Sequence, residues 1–133
     1  MVRGTKPIRV LICNKYALFR AGIQALFPHG GVIEIIGEAA TAIQAIDSVQ
    51  RLHPDVVLLD TTASELPGPE ATRRMKAIDP RIKILVTSLD DDPASLIPRF
   101  LRAGAAGYVD KSDGALGLRS AIIHACRRGA HAA

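Results

Sequence analysis

The sequence predicts an open, doubly wound α/β domain in which five parallel strands alternate with five helices. Three observations lead there. Short, uninterrupted apolar runs rich in Val and Ile recur along the chain, as strands buried on both faces require. Helical stripes of apolar residues fall between them, which places the helices against the sheet. At 133 residues and 48% hydrophobic, the chain suits one domain, spanning 1–133, whose core is large enough to fold without disulfides or a structural metal.

Taken in order, the first strand is read at Ile8 to Cys13, and the helix after it from a stripe of Leu18, Gly22, Ile23 and Leu26. A second strand is expected at Val32 to Ile36, followed by a helix with Ile43, Ile46 and Val49 on its apolar face. The third strand is Val56 to Leu59. Its helix is expected over Glu70 to Ala77, after a Pro67-Gly68-Pro69 breaker and before Asp79-Pro80. The fourth strand is read at Ile84 to Val86. Its helix should begin at Asp92-Pro93, with Asp92 as N-cap, and Pro98 one turn in makes a short, irregular or displaced helix the expectation. The fifth strand is Ala106 to Val109. Ser112 is read as the cap of a last helix with Leu116, Ile122 and Ala125 facing inward, ending near Gly129.

Several function classes are disfavoured. No apolar run approaches the roughly 18 residues needed to span a bilayer, and MVRGTKP leads into a strand rather than a signal sequence, so a cytoplasmic protein without membrane association is expected. Cys13 and Cys126 lie far apart, with no CxxC spacing and no companion His cluster, which points to reduced thiols, Cys13 in the core. The net charge of +4 is spread along the chain with little aromatic interleaving and does not mark a nucleic-acid surface.

In an open α/β sheet the crossovers are right-handed and sites lie at the carboxyl ends of the strands. That rule selects Asn14 and Lys15, Asp60, Ser88 and Lys111. Singly, each has an ordinary structural reading: a strand-end carboxylate, a solvated lysine, a turn serine, a cap.

Together, in this order, they resemble the receiver domains of two-component response regulators, in particular the LuxR-output (NarL/FixJ-like) subfamily. The resemblance covers residues 8 to 129 and rests on IRVLI with ALFRAG, PDVVLLD ending at Asp60, EATRRMK, and LRAGAAGYVDK ending at Lys111. It implies a flavodoxin-like (βα)5 fold with strand order 2-1-3-4-5. It also implies that Asp60 matches the phosphoacceptor, Ser88 the hydroxyl residue near the phosphoryl group, Tyr108 the switch aromatic and Lys111 the phosphate contact. Thr87 is the rival of Ser88, whose assignment needs a one-residue insertion in the Asp90-Asp91-Asp92 loop.

Two departures stand out. Asn14-Lys15 replaces the family's adjacent acidic pair, with Tyr16 where the subfamily often has His, and Thr61 to Pro67 lacks the usual Met-Pro-Gly, although Gly68 keeps the expected glycine. In the family a magnesium ion held by acidic side chains neutralises the phosphoryl oxygens, and magnesium demands oxygen ligands. Here Lys15 and Lys111 against Asp60 leave the pocket one positive charge. Two unit charges roughly 4 Å apart interact by about 4 kcal/mol at an effective dielectric of about 20, so Lys15 should oppose a cation. The expectation is no magnesium and no other cofactor, with Lys15 either a counter-ion to Asp60 or a drifted surface residue.

The resulting reading is an atypical, pseudo-receiver module of a transcriptional regulator, signalling without magnesium-dependent aspartyl phosphorylation, through dimerisation or binding of a ligand or partner. The alternative is a conventional receiver phosphorylated on Asp60 by a histidine kinase. An enzyme using Asp60 as nucleophile lacks its acid/base carboxylate, since the second residue on is Thr62. Implied partners are a second copy, through the first and fifth helices or through the face of helix four, strand five and helix five, with Pro98 favouring the former; a sensor kinase or small-molecule ligand; and DNA only through a C-terminal helix-turn-helix domain outside this sequence.

Overall fold

The computed structural model describes residues 6–88 and 96–132, with side chains through Arg127. Strands β1 (Ile8–Cys13), β2 (Ile33–Ala39), β3 (Val56–Asp60), β4 (Lys83–Ser88) and β5 (Gly107–Asp110) form one sheet in the order β2-β1-β3-β4-β5. Every pairing is parallel. Helices α1 (Ala17–Leu26), α2 (Ala42–Leu52), α3 (Gly68–Ile78), α4 (Ile97–Arg102) and α5 (Gly114–Ala132) connect the strands, and a single 3₁₀ turn, Lys111–Asp113, precedes α5. This is the flavodoxin-like arrangement expected.

Side-chain alternation splits the core into two layers. Leu11, Cys13, Val57, Leu59, Ile84 and Val86 face α2, α3 and α4 through Val49, Met75 and Phe100. Val10, Ile12, Val56, Leu58, Leu85 and Val109 face α1 and α5 through Ile23, Leu118 and Ile122. Asp60 continues the second series, so β3 delivers its carboxylate to the α1–α5 side. Cys13 is fully buried, as expected, and burial together with the nearby Asp60 charge pushes its thiol up to about 12.

Several boundaries differ from the sequence reading. Strand β2 runs on to Ala39 because a bulge between Val10 and Leu11 lets Gly37 and Glu38 keep pairing with β1. Pro69 opens α3 rather than breaking the chain, since a helix tolerates proline in its first turn, and α3 therefore begins at Gly68. Pro98 likewise sits in the first turn of α4, a helix of six residues. The expected start at Asp92-Pro93 lies outside the described residues. Ser112 does not cap α5: it belongs to the 3₁₀ turn, where its amide donates to Asp110 at 2.9 Å. Leu18 and Leu116, expected on inward faces, are 86% and 79% exposed.

The framework around the site is held by caps. Thr41 accepts from the Gln44 amide at 3.1 Å while the Gln44 side chain accepts from the Ala40 amide at 2.8 Å, a reciprocal start to α2. At the other end of α2, Arg9 donates to the carbonyls of His53 and Leu52 at 2.6 and 2.8 Å, tying the helix to β1. Gly68 lies against the Phe100 ring, which seats α4 on α3.

Candidate functional site

Asp60 ends β3 and is 1% exposed, opposite Thr87 in the β4 register. Thr87 donates its hydroxyl to Asp60 Oδ1 at 3.2 Å, and the Thr61 amide donates to the Thr87 carbonyl at 2.9 Å. The chain then turns tightly: the Thr62 amide donates to Asp60 Oδ2 at 3.0 Å and the Thr62 hydroxyl donates to the same oxygen. This is the aspartate turn in which a side chain bonds the backbone two residues on. Beyond β5, the 3₁₀ turn brings Lys111 back over the sheet, with its ammonium 2.5 Å from Asp60 Oδ1. The lysine side chain is 11% exposed and its ammonium also lies 4.3 Å from the centroid of the Phe19 ring.

Both carboxylate oxygens are thus occupied twice. Oδ1 takes Lys111 and Thr87; Oδ2 takes the amide and hydroxyl of Thr62. Thr62 was not singled out by the sequence, although Asp-x-Thr at a strand end is a recognisable signal for such a turn.

The Asn14-Lys15 segment behaves differently from the counter-ion expectation. Asn14 is 1% exposed, and its Oδ1 accepts from the Tyr16 amide at 2.8 Å. That bond closes a turn with Lys15 at its outer position, and the Lys15 ammonium lies 5.1 Å from the centroid of the Tyr16 ring rather than against Asp60. Lys15 is exposed and the counter-ion is Lys111. The Asn14 carbonyl accepts from Arg20 at 2.6 Å, and Arg20 also pairs with Glu38 at 2.6 Å. Hydrogen bonds from Arg20 and then Gln24 hold the Glu38 carboxyl below its usual range. The Asn14 Nδ2 is buried with no hydrogen-bond partner among the described residues.

Between the two hydroxyl candidates, Thr87 is the one that reaches Asp60. Ser88 is buried at the end of β4 but belongs to the opposite alternation, with Ile84 and Val86. Tyr108 pairs with Val86 across β4 and β5 and packs, half-buried, on the α2–α3–α4 side. Among the described residues, no three His, Cys, Asp or Glu side chains gather to hold a metal ion, and no helix is long and apolar enough to cross a membrane. At the carboxyl ends of β1 and β3 the donor set is therefore one saturated carboxylate, one amide and an outward lysine.

Residues 10–123 match the family model described as "Response regulator receiver domain". The chain is 35% identical over 116 residues to the response regulator GacA of Pseudomonas viridiflava, covering 86% of this chain and 53% of that protein. It is 31% identical over 124 residues to the transcriptional regulatory protein DegU of Brevibacillus brevis, covering 93% and 52%. The chain thus spans about half the length of the curated relatives it matches. Among solved structures it is similar to a two-component response regulator of the LuxR family from Aurantimonas sp. SI85-9A1, at 27% identity and a TM-score of 0.83, covering 92% of this chain and 86% of that one. With this match over most of its length, and Asp60, Thr87 and Lys111 gathered at the strand ends, the chain belongs to the response regulator receiver domain family.

Proposed function

We propose that this chain is the atypical receiver domain of a transcriptional response regulator, a regulatory rather than enzymatic module that signals without magnesium-dependent phosphorylation of Asp60. The carrying observation is the saturation of the Asp60 carboxylate by Lys111, Thr87 and Thr62. A carboxylate attacks phosphorus through a free lone pair, and a divalent ion beside it needs further oxygen ligands. Asn14 offers an amide whose oxygen is already engaged, and Lys15 offers none. The donor set does not fit magnesium, so no step is derived through it. Incubation with acetyl phosphate and magnesium, followed by intact-mass measurement, is expected to leave the mass unchanged; a stoichiometric phosphoryl adduct on Asp60 overturns the reading.

A conventional receiver, phosphorylated on Asp60 by a sensor kinase, is the second reading. The observation favouring it is that Asp60, Thr87 and Lys111 keep the mutual contacts a phosphoryl group would share. The same mass measurement separates the two.

Signalling then runs through association. Leu116 on α5, 79% exposed, offers apolar surface that a second copy would cover. DNA binding belongs to a helix-turn-helix domain C-terminal to this one, in the cytoplasm, as the relatives' description as transcriptional regulators suggests. A scattering profile that stays monomeric at high concentration would count against the homodimer.

A further inference from the structure

We propose that the groove between α1 and α5 is a binding site for a small amphipathic molecule, with an apolar body and a single hydrogen-bond-accepting or anionic head that meets Lys111. The proposal deepens the reading of signalling without phosphoryl transfer by naming the ligand class, and rests on it only in that Asp60 remains unphosphorylated and paired with Lys111.

The groove is open to solvent along one side and offers a volume of about 710 Å³, within the range of small-molecule sites. Leu18, Phe19, Gly22, Ala115 and Leu118 form its walls, and Asp60, Thr87 and Lys111 lie at its inner end. Asp60 and Thr87 at its base are 1% and 4% exposed, and the Lys111 side chain, at 11%, is the more accessible polar group there. Gly22 lies on the groove wall with open space beside it: a Cβ built there would meet nothing within 4 Å, so a larger side chain can project into the groove.

Head-group polarity follows from counting protons. Thr62 and Thr87 each spend their one hydroxyl proton on Asp60, and Asp60 accepts twice at each oxygen. Lys111 has three donors, of which Asp60 takes one, while the Phe19 face lies under the ammonium without accepting a conventional hydrogen bond. Two of the three Lys111 donors are unspent on Asp60, so the base can hold an acceptor that the occupant brings. A carboxylate there would share the ammonium with Asp60 and loosen the pair that closes the site.

The test uses the 133-residue chain. Titration with 1-anilinonaphthalene-8-sulfonate should give saturable fluorescence at about one dye per chain. Decanoate should displace the dye, and decan-1-ol should do so at least about tenfold more weakly for want of a charged head. Gly22→Leu fills the groove and favours the helix, since glycine is a poor helix former. It should weaken dye binding at least about tenfold without lowering the thermal midpoint. Three results overturn the proposal: undiminished binding to a folded Gly22→Leu, equal displacement by decanoate and decan-1-ol, or sedimentation showing that a second copy closes the groove and excludes the dye. None of these involves phosphate, so failure here is distinct from a phosphoryl adduct on Asp60.

Discussion

Lys111 holds its ammonium 2.5 Å from Asp60 Oδ1 at 11% side-chain exposure, while Lys15, nearer to the family's metal position in sequence, lies over Tyr16 in solvent. Removing one member of a buried pair leaves the other charge uncompensated, at a cost of about 3–5 kcal/mol. Lys111→Met should therefore lower the unfolding free energy in denaturant by that order, and adding Asp60→Asn should restore most of it. Lys15→Ala should change it by less than about 0.5 kcal/mol. Equal losses for the two lysines would contradict the geometry.

Gly68 and Phe100 make the second sensitive contact. A Cβ at Gly68 would run into the ring of Phe100, which is 1% exposed. Overpacking of this kind costs about 1–3 kcal/mol. Gly68→Ala is expected to destabilise by that amount, and Phe100→Leu in the same chain should absorb part of it. Strict additivity in a double-mutant cycle would show that the two residues do not meet.

Alkaline stability should report on Cys13. Burial first, and the Asp60 charge second, push its thiol up to about 12 from an ordinary 9.0, with Arg20 opposing. A group whose pKa is raised on folding stabilises fully below its unfolded value and loses that contribution as pH climbs towards the folded value. Cys13 should accordingly cost stability between about pH 9 and 12, and Cys13→Val should flatten that part of the curve relative to the parent. In the native state Cys13 should resist iodoacetamide at pH 8; rapid alkylation would mean that the thiolate is accessible.

The fold was legible because buried parallel strands write themselves as continuous apolar runs, and PDVVLLD ends at the residue that anchors the site. What stayed hidden was direction. Counting charges placed a surplus of one at the pocket and left Lys15 as either counter-ion or surface residue, because a sum carries no information about which way a side chain leaves a turn; with Lys15 turned outward, Asp60 and Lys111 balance. The Asn14–Tyr16 bond decides that, and it turns Lys15 outward. The contact between Thr87 and Asp60 has the same origin: the strand's period of two turns Thr87 to the α1–α5 side, where Asp60 lies. Leu18 and Leu116 fitted helical stripes, but Leu18 stands uncovered in the wall of the groove beside Gly22 and Leu116 stands exposed outside it.

If the block to metal lies in Asn14 and Lys15, restoring the acidic pair should lift it. Asn14→Asp with Lys15→Asp changes the local balance of these two positions, Asp60 and Lys111 from one positive charge to two negative ones. The Asn14 position is suited to a carboxylate, since its oxygen already accepts from the Tyr16 amide at 2.8 Å and its Nδ2 has no partner to lose. A ligand at a hundred times its dissociation constant stabilises the folded state by about 2.7 kcal/mol. The double variant should show a thermal midpoint that rises with magnesium, and the parent should not. Competition between magnesium and Lys111 for Asp60 Oδ1 sets the size of the rise, so Lys111→Met added to the pair should enlarge it. A double variant still blind to magnesium would place the block at the Thr62–Asp60–Lys111 cluster instead of at the missing acids.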